Sequence, residues 1–379
     1  MKTIKEANLS NKNVVVRFDY NVPMDNGKIV DDTRIVSSLK TLNYILKYAK
    51  KVIILSHMGR VKVEEDKKKY SLKIVCDYLS KLIDKKIAFC DYTNVEDVIN
   101  NNEIIMMENT RFFDLDNNKE SNSDDELSKY FASFGDVFIN DAFGTCHRNN
   151  ASNVGISKYL PSYNGFLVEE EVNNLDKLLN DVKRPYTVIM GGAKVSDKIK
   201  VIDNLIEKVD YLIISGGMAY TFLKAKGFNI GKSICEDDYI DYAKKLINDY
   251  SNKILLIEDN YIEDNSIKNI DEMNDNNIGY DIGPKTIEVY KDIIHKSKTI
   301  FYNGPIGLFE KGYEYGTIEL LKLLNDSEAF VVIGGGDTVS AVNKYQKDNH
   351  FIISTGGGAS LEYLEGKKLP GVFLWKRWK

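Results

Sequence analysis

The chain has 379 residues, a hydrophobic fraction of 43% and a formal net charge of −5. The length predicts two or three domains, and the acidic balance argues against nucleic-acid binding, which usually needs a basic protein. No apolar run approaches the roughly 20 residues of a membrane-spanning helix, and the N-terminal residues lack the apolar core of a signal peptide. The four cysteines form no CxxC pair, so we expect neither a metal site nor a disulfide framework built on them, and a cytoplasmic location.

Short apolar strands alternate with helical patterns through the first half of the chain. Strands are predicted at residues 13–18, 52–56, 87–89, 104–107 and 137–139, and helices at residues 34–51, 72–82 and 125–134. This alternation is typical of a parallel sheet with helices on both faces. The charged stretches at residues 64–69 and 116–125 are interpreted as solvated loops.

A helix predicted over residues 167–179 is a candidate connector to a second α/β series. In that series, strands are predicted at residues 186–190, 210–215, 253–257, 298–302, 329–333 and 351–355, and helices at residues 196–209 and 217–226. Further helical patterns begin at Val339 and Leu361. The charged stretch at residues 264–277 is interpreted as a loop.

Three glycine-rich segments follow predicted strands in the second half, at residues 191–192, 334–336 and 356–358. A strand–glycine–helix junction directs unpaired backbone N–H groups and the positive end of the helix dipole to one place. Glycine also lets an anion approach closely, because it has no Cβ. Three such junctions predict a site for several phosphates.

Arginine is rare in the chain, whereas lysine is abundant. Only seven of the 51 cationic residues are arginine, and five of the seven lie within the first 148 residues: Arg17, Arg34, Arg60, Arg111 and Arg148. Arginine binds carboxylate and phosphate groups through two parallel hydrogen bonds, which lysine cannot do. Together with His57 and His147, these arginines predict a site for a small molecule with several negative charges.

Two lysines follow the first glycine segment. If a helix begins near Val195, then Lys194 and Lys198 lie one turn apart and both can approach an anion at its N-terminus. The GFNIGKS stretch at residues 227–233 is one residue too short for a Walker A loop and follows a helix, so we reject that interpretation. Glu310, after a predicted strand, is equally consistent with a simple turn and with a contact to ribose hydroxyls.

Twelve motifs in order along the chain resemble those of the phosphoglycerate kinase family. They are RFDYNVP, DDTRI, SHMGR, ENTRF, DAFGTCHR, GFLVEEEV, GGAKVSDK, GGMAYTFL, DIGP, NGPIGLFE, GGGDT and STGGGAS. The resemblance covers essentially the whole chain. The chain departs from the family pattern at Val61, where proline is usual, and at Asn150, where a second histidine is usual.

The resemblance implies two doubly wound parallel-sheet α/β domains facing each other across a cleft. It implies a phosphoglycerate-binding domain at residues 1–165, a connecting hinge at residues 166–185, a nucleotide-binding domain at residues 186–365, and a tail, residues 366–379, that returns to the first domain. The implied reaction transfers a phosphoryl group from 1,3-bisphosphoglycerate to Mg·ADP and gives 3-phosphoglycerate and Mg·ATP. The family is usually monomeric, and we expect no nucleic-acid or membrane partner.

The resemblance also assigns the site residues. The phosphoglycerate is expected at Asp19, Asn21, Arg34, His57, Met58, Gly59, Arg60, Arg111 and Arg148. The nucleotide is expected at Gly192, Lys194, Lys198, Gly216, Gly217, Gly283, Asn303, Glu310, Gly335, Gly336, Asp337 and Thr338, with Asp337 as the partner of Mg²⁺. The catalytic groups are expected to be Arg34, Lys198 and the backbone of Gly335, Gly336, Gly357 and Gly358.

Two other functions stay open on the residues alone. Glycine junctions also hold pyrophosphates in nicotinamide-dependent oxidoreductases, although the missing GxGxxG argues against that class. A two-lobed binding protein for anionic metabolites is the other alternative, and the absent signal peptide and the Lys194 and Lys198 pair argue against it.

Overall fold

The computed structural model describes residues 1–345 and 350–374 of the chain. The chain divides into two compact units. The first unit comprises Met1–Val172 and Lys368–Lys379, and the second comprises Asn173–Lys367. Residues 375–379 of the tail predicted to return to the first domain lie outside the described residues. Nowhere in 1–345 or 350–374 is there a helix long and apolar enough to cross a membrane.

The described part of the first unit contains eight strands. Most of its helices alternate with the strands along the chain. The strands are β1 (Asn13–Phe18), β2 (Met24–Asp25), β3 (Lys28–Ile29), β4 (Lys51–Leu55), β5 (Ala88–Cys90), β6 (Ile104–Met107), β7 (Val137–Asp141) and β8 (Ser162–Asn164). The helices are α1 (Thr33–Tyr48), α2 (Asp66–Lys69), α3 (Lys73–Leu82), α4 (Val95–Asn101), α5 (Asp125–Ala132) and α6 (Phe166–Leu179), the last of which continues into the second unit.

Six of these strands form one parallel sheet in the order β5-β6-β4-β1-β7-β8. Successive residues of β1 enter opposite cores: Val14 and Val16 pack with Ile35 of α1 on one face, and Val15 packs with Phe131 of α5 on the other. Because both faces are buried, the strands consist of continuous apolar runs, which is why their positions could be predicted.

The second unit repeats the architecture with nine strands. They are β9 (Tyr186–Met190), β10 (Tyr211–Ile214), β11 (Ile254–Leu255), β12 (Asp259–Ile262), β13 (Ile267–Asn269), β14 (Gly279–Ile282), β15 (Thr299–Asn303), β16 (Phe330–Gly334) and β17 (Ile352–Ile353). The helices are α7 (Ile199–Leu205), α8 (Met218–Ala225), α9 (Ile240–Asp249), α10 (Pro284–Lys296), α11 (Tyr315–Asn325), α12 (Gly336–Tyr345) and α13 (Gly358–Leu364).

Six strands of the second unit form a parallel sheet in the order β11-β10-β9-β15-β16-β17. The predicted fold class of two parallel-sheet α/β domains is therefore confirmed. A small antiparallel sheet, β13-β12-β14, was not predicted. It includes part of the stretch at residues 264–277 that was interpreted as a loop, and α2 likewise occupies part of the stretch at residues 64–69. Both loop predictions were wrong at these positions.

The described part of the tail packs on the first unit. The side-chain amides of Asn140 and Asn164 donate to the carbonyls of Gly371 and Val372, each at 2.9 Å, and the N–H of Gly371 donates to the carbonyl of Cys146 at 2.9 Å. Val372 itself is buried. The tail thus supplies backbone acceptors to two buried side-chain amides near the ends of β7 and β8.

A buried carboxylate accepts hydrogen bonds from the first turn of α6, the helix that continues from the first unit into the second. Asp141, the last residue of β7, accepts hydrogen bonds through Oδ1 from the N–H groups of Leu167 at 2.9 Å and Val168 at 3.3 Å. The N–H of Phe166 donates to the hydroxyl of Thr41 at 2.9 Å. Burial raises the pKa of Asp141 to about 7, and the hydrogen bonds that Asp141 receives from Thr41, Val168 and Leu167 only partly oppose the rise.

We therefore expect Asp141 to make stability depend on pH. An unfolded aspartate titrates near pH 3.9, so between about pH 4 and 7 the folded state holds a proton that the unfolded chain has lost. Asp141 consequently contributes less stability as the pH rises through this window. In urea unfolding at several pH values, Asp141→Asn should gain stability relative to the wild type as the pH rises from about 4 to 7. A difference between the two proteins that is constant across this range would contradict the prediction.

Candidate functional site

The first candidate site lies where four neighbouring parallel strands of the first unit end. β1 leads into Asp19, β4 into His57, β6 into Arg111 and β7 into Arg148. Because the carboxyl ends of parallel strands meet at one edge of a sheet, the loops after these strands form a common surface. The structure thus brings together residues that are separated by up to about one third of the chain.

Arg34, near the start of α1, is held on one side of this surface. Its Nη1 donates to Asp19 Oδ2 at 2.8 Å and to the carbonyl of Asn21 at 3.2 Å. The N–H of Gly59 in turn donates to Asn21 Oδ1 at 2.8 Å. A third of the Arg34 side chain is still exposed (33%), so the guanidinium is oriented by its partners and can also contact a ligand.

Asn109 joins the loop after β4 to the loop after β6. Its amide accepts from the N–H of Met58 at 3.2 Å and donates to the carbonyl of Met58 at 2.7 Å. Asn109 Oδ1 also accepts from the N–H of Arg111 at 3.0 Å, and Arg111 Nη1 donates to the carbonyl of Gly59 at 3.0 Å. Arg111 is therefore fixed against the turn that contains Met58 and Gly59.

Burial and four nearby guanidinium groups disfavour the protonated form of His57. Burial lowers the pKa of His57 well below its usual range, and the charges of Arg17, Arg111, Arg148 and Arg34 lower it further. Arg17 is itself buried, and its Nη2 lies 3.1 Å from His57 Nδ1. The pKa of Arg111 is lowered by burial and by the nearby Arg148 and Arg17. Mutual repulsion of this kind fits a site whose natural counter-charge is a bound anion.

Two other predicted residues of this site, Arg148 and Arg60, make fewer contacts with the rest of the protein than Arg34 and Arg111 do. Arg148 Nε donates to His147 Nε2 at 3.2 Å, and the Arg148 side chain is partly buried. Arg60 follows Gly59 and is exposed. Asn150, which replaces the usual histidine, is buried, and its amide donates to the carbonyl of Glu120 at 3.4 Å.

The second candidate site lies in the second unit, on a surface made by close backbone packing. The N–H groups of Gly191 and Gly192 donate to the carbonyls of Asn303 at 2.9 Å and Pro305 at 2.8 Å. The expectation that this glycine segment offers free N–H groups to phosphates was therefore wrong. A Cβ on Gly191 would lie 2.4 Å from the carbonyl oxygen of Gly304, so glycine is needed here for close backbone approach.

A cavity of about 290 Å³ opens above this surface. Its lining includes the predicted residues Gly192, Gly216, Gly217, Glu310 and Asp337. The apolar part of the lining, which we call the apolar wall, includes Tyr220, Ile257, Tyr280, Ile306 and Leu308. An apolar slot beside a polar edge suits a flat heteroaromatic ring that carries a polar chain.

Lys198 and Asn303 form a polar pair in this unit. Lys198 Nζ donates to Asn303 Oδ1, and Asn303 Nδ2 is buried without a hydrogen-bond partner among the described residues. A Cβ on Gly335, which has φ +94°, would lie 2.9 Å from that nitrogen. Burial lowers the pKa of Lys198, and the charges of Asp197 and Asp337 oppose the change.

The helix expected to begin near Val195 begins only at Ile199, so Lys194 and Lys198 are not one helical turn apart. Ser196 explains the difference. Its N–H and hydroxyl donate to the Glu236 carboxylate at 3.1 and 2.7 Å, which holds residues before α7 in a turn. Lys194 is exposed, and Lys198 is the residue that precedes the helix.

The two triple-glycine segments do join strands to helices. Gly334 ends β16 and Gly336 begins α12, while Gly358 begins α13 and Gly357 has φ +51°. The hydroxyl of Thr338 accepts from the N–H of Gly304 at 2.8 Å, so Thr338 supports the turn beside the cavity.

The structure gives Gly283 a packing role outside the cavity. A Cβ there would lie 2.3 Å from Asp259 Oδ2, and the N–H of Gly283 donates to the carbonyl of Asp259 at 3.1 Å. Its expected contact with a nucleotide stays a prediction.

Sequence reasoning missed several residues that shape both sites. In the first unit they are Asn109, Glu120 and Ser152, and in the second they are Glu236 and the apolar wall of the cavity. Asn109 belongs to the ENTRF motif, and Tyr280 directly precedes the DIGP motif. These two motifs were the available signal in the sequence. The partners of Glu120 and Glu236 are 32 and 40 residues away, so no local pattern marks them.

Comparisons with known proteins agree with this geometry. The family model described as "Phosphoglycerate kinase" matches residues 4–367. The chain belongs to the phosphoglycerate kinase family. It is accordingly a phosphotransferase of the glycolytic kinase type.

Individual relatives cover nearly the full length. Proteins named phosphoglycerate kinase from Fusobacterium nucleatum and Lacticaseibacillus casei are 48% and 47% identical, covering 98% and 97% of both chains. The solved structure of phosphoglycerate kinase from Coxiella burnetii is 38% identical, has a TM-score of 0.87, and matches 98% of this chain and 97% of its own. That from Pyrococcus horikoshii is 30% identical, with a TM-score of 0.85 and 98% coverage of both chains.

The turn at Gly59 offers a test of the site's framework. Gly59 has φ +60°, and a Cβ there would lie 2.3 Å from the Tyr70 ring, whereas Gly27 has φ +74° and open space around it. Gly27→Ala should cost about 1–2 kcal/mol of unfolding free energy from backbone strain alone. Gly59→Ala should cost about 1–3 kcal/mol more, because the ring must also move. Equal losses in urea unfolding would show that the turn does not depend on this contact.

Proposed function

We propose that the chain transfers a phosphoryl group between 1,3-bisphosphoglycerate and Mg·ADP, with the phosphoglycerate bound by the first unit and the nucleotide by the second. The observation that carries the assignment of the first unit is the cluster of Arg17, Arg34, Arg111 and Arg148 around a neutral His57. A small molecule with a phosphate and a carboxyl group supplies the negative charge that this cluster lacks. Asp19, Asn21, Met58, Gly59 and Arg60 complete the proposed binding surface.

The cavity of the second unit supports the nucleotide assignment. Its apolar wall, with Tyr280 and Ile306, fits a purine ring, and Glu310 at the edge can accept hydrogen bonds from ribose hydroxyls. The unpaired Nδ2 of Asn303, next to Gly335, is a donor for a phosphate oxygen. Lys194 and Lys198 add positive charge to the same side.

Asp337 fits the proposed role of magnesium partner. It is exposed on the wall of the cavity, at the start of α12. Magnesium is commonly held by one or two carboxylates together with nucleotide phosphates and water, so a single carboxylate is sufficient. When bound, the ion would neutralise phosphate charge.

The chemistry needs no general base from the protein. In the direction that consumes ATP, the attacking group is a carboxylate, which is already ionised near neutral pH. Phosphoryl transfer proceeds through a loose transition state, so catalysis consists of positioning and stabilisation of charge on the transferred oxygens. We assign that stabilisation to Arg34, Lys198 and the backbone N–H groups of Gly335, Gly336, Gly357 and Gly358.

The remaining assignments concern the whole chain. We propose that residues 166–185 act as a hinge during turnover, and that the enzyme works as a cytoplasmic monomer without nucleic-acid or membrane partners. The four cysteines are all free, as is usual in a reducing compartment. The net charge of −5 supports the absence of nucleic-acid binding.

A coupled assay tests the reaction itself. Purified enzyme with 1,3-bisphosphoglycerate and Mg·ADP should form ATP, and removal of Mg²⁺ with a chelator should stop the reaction. Absence of ATP formation by folded protein would overturn the proposed function. NADH binding in a parallel titration would instead favour an oxidoreductase.

Removing either catalytic cation should abolish most turnover. Arg34→Ala and Lys198→Ala should each lower kcat strongly, because each should raise the activation free energy by about 3 kcal/mol or more, as for other preorganised charge partners of a transition state. Lys129→Ala and Lys322→Ala are matched controls, because these cations form exposed ion pairs with Asp125 and Glu319. The controls should keep near-normal kcat. Near-normal turnover in Arg34→Ala or Lys198→Ala would refute the corresponding assignment.

A further inference from the structure

Glu120 is a buried carboxylate within a charged stretch that was expected to be a solvated loop. Glu120 is only 1% exposed, although it lies in the charged stretch between Asp116 and Asp125. Both oxygens are used: Oε2 accepts from the N–H of Ser152 at 2.9 Å, and Oε1 accepts from the hydroxyl of Ser152 and from that of Thr110, the latter at 3.2 Å. A carboxylate is costly to bury, so its position calls for an electrostatic partner.

That partner is Arg17, which Glu120 meets through Ser152. Arg17 is also 1% exposed, and its Nε donates to the Ser152 hydroxyl at 3.0 Å. A guanidinium only donates, so the Ser152 oxygen accepts from Arg17 and its own proton points to Glu120. Burial lowers the pKa of Arg17 and raises that of Glu120, and in each case the other residue's charge is the largest opposing influence.

Arg17 in turn determines the proton arrangement of His57. Its Nη1 donates to the carbonyl of Phe18, which orients the guanidinium plane, and its Nη2 lies 3.1 Å from His57 Nδ1. Because Nη2 can only donate, Nδ1 accepts from it and carries no proton; the Asp19 carboxylate, whose Oδ1 lies 3.7 Å from the same nitrogen, is beyond hydrogen-bonding distance. A neutral imidazole then has its single proton on Nε2, as an N–H donor for an anion.

We propose that Glu120 is a positioning residue: through Ser152 and Arg17 it holds His57 in the Nε2–H tautomer that donates to the bound phosphoglycerate. The naming of the ligand rests on the proposed function, whereas the tautomer is a property of the free enzyme. Glu120 touches neither substrate nor nucleotide in this account.

The tautomer can be measured in the full-length free enzyme. The chain has only four histidines, so ¹⁵N-histidine labelling gives few signals, and His57→Gln assigns the one from His57. The wild type should show a protonated Nε2 and an unprotonated Nδ1. In Glu120→Gln, which removes the charge that holds Arg17, this single state should change to a mixture of tautomers. A protonated Nδ1 in the wild type, or an unchanged His57 signal in Glu120→Gln, would overturn the proposal.

Kinetics provide the second measurement. Glu120→Gln should raise KM for 3-phosphoglycerate roughly tenfold, the effect of about one charge-assisted hydrogen bond, while KM for ATP stays within about twofold. Glu120→Asp, which keeps the charge, should recover part of the loss. A variant that is less stable but has wild-type KM values and His57 signals would show a merely structural role and contradict the proposal.

Two controls separate the possible failures. Asp141→Asn removes another fully buried carboxylate of the first unit and should leave the His57 signal unchanged. If Glu120→Gln does not fold, Ser152→Ala breaks the same connection while keeping the carboxylate, and it should give the same mixture of tautomers; an unchanged signal there would overturn the proposal. If the wild type fails to use 3-phosphoglycerate, the proposed function falls, but the tautomer measurement still decides the role of Glu120.

Discussion

Repulsion between guanidinium groups is the constraint on which the first unit's site depends. Four arginines act on His57, from β1, from α1 and from the segments after β6 and β7. The only ion pair within 4 Å that the described residues form with any of these four is that of Arg34 with Asp19. Like charges held together cost free energy, which the fold must offset elsewhere. The buried network of Arg17, Ser152 and Glu120 provides part of that offset. In the proposed function a bound anion provides the rest, so the same repulsion that opposes folding would favour binding.

The second unit uses backbone packing where the first uses charge. Gly191 and Gly304 pack directly against each other, and Gly216 packs against both Gly192 and Pro305. The glycine-rich segments therefore do different things: the first forms a tight backbone surface, and the two triplets connect strands to helices. Asn303 Nδ2 is a buried amide donor without a hydrogen-bond partner among the described residues. Lys198, beside it, is a partly buried cation.

The sequence was most informative where one residue pattern decides the outcome. Strands such as β1 are apolar on both faces because helices cover both faces, so a continuous apolar run identifies them. β13 could not be found in this way, since Ile267 is exposed and its neighbours are polar. The arginine and histidine motifs could be placed at one sheet edge because most of them lie at or just after the end of a strand.

Long-range contacts limited the rest. Glu120 looks like any other acid in a charged stretch until Ser152, distant in the chain, is brought to it. The start of α7 was mispredicted because the Glu236 carboxylate, also distant, binds Ser196 in preference to a helical turn. Local propensity contains neither partner, so only the folded chain reveals them.

The central claim is that the arginine cluster of the first unit binds one substrate and leaves the other to the second unit. Calorimetric titration of Arg111→Met with 3-phosphoglycerate and, separately, with Mg·ADP tests this most directly. We predict that 3-phosphoglycerate binds at least roughly tenfold more weakly than to the wild type, while Mg·ADP affinity stays within about twofold. Wild-type affinity for 3-phosphoglycerate, or an equal loss for both ligands, would contradict the claim.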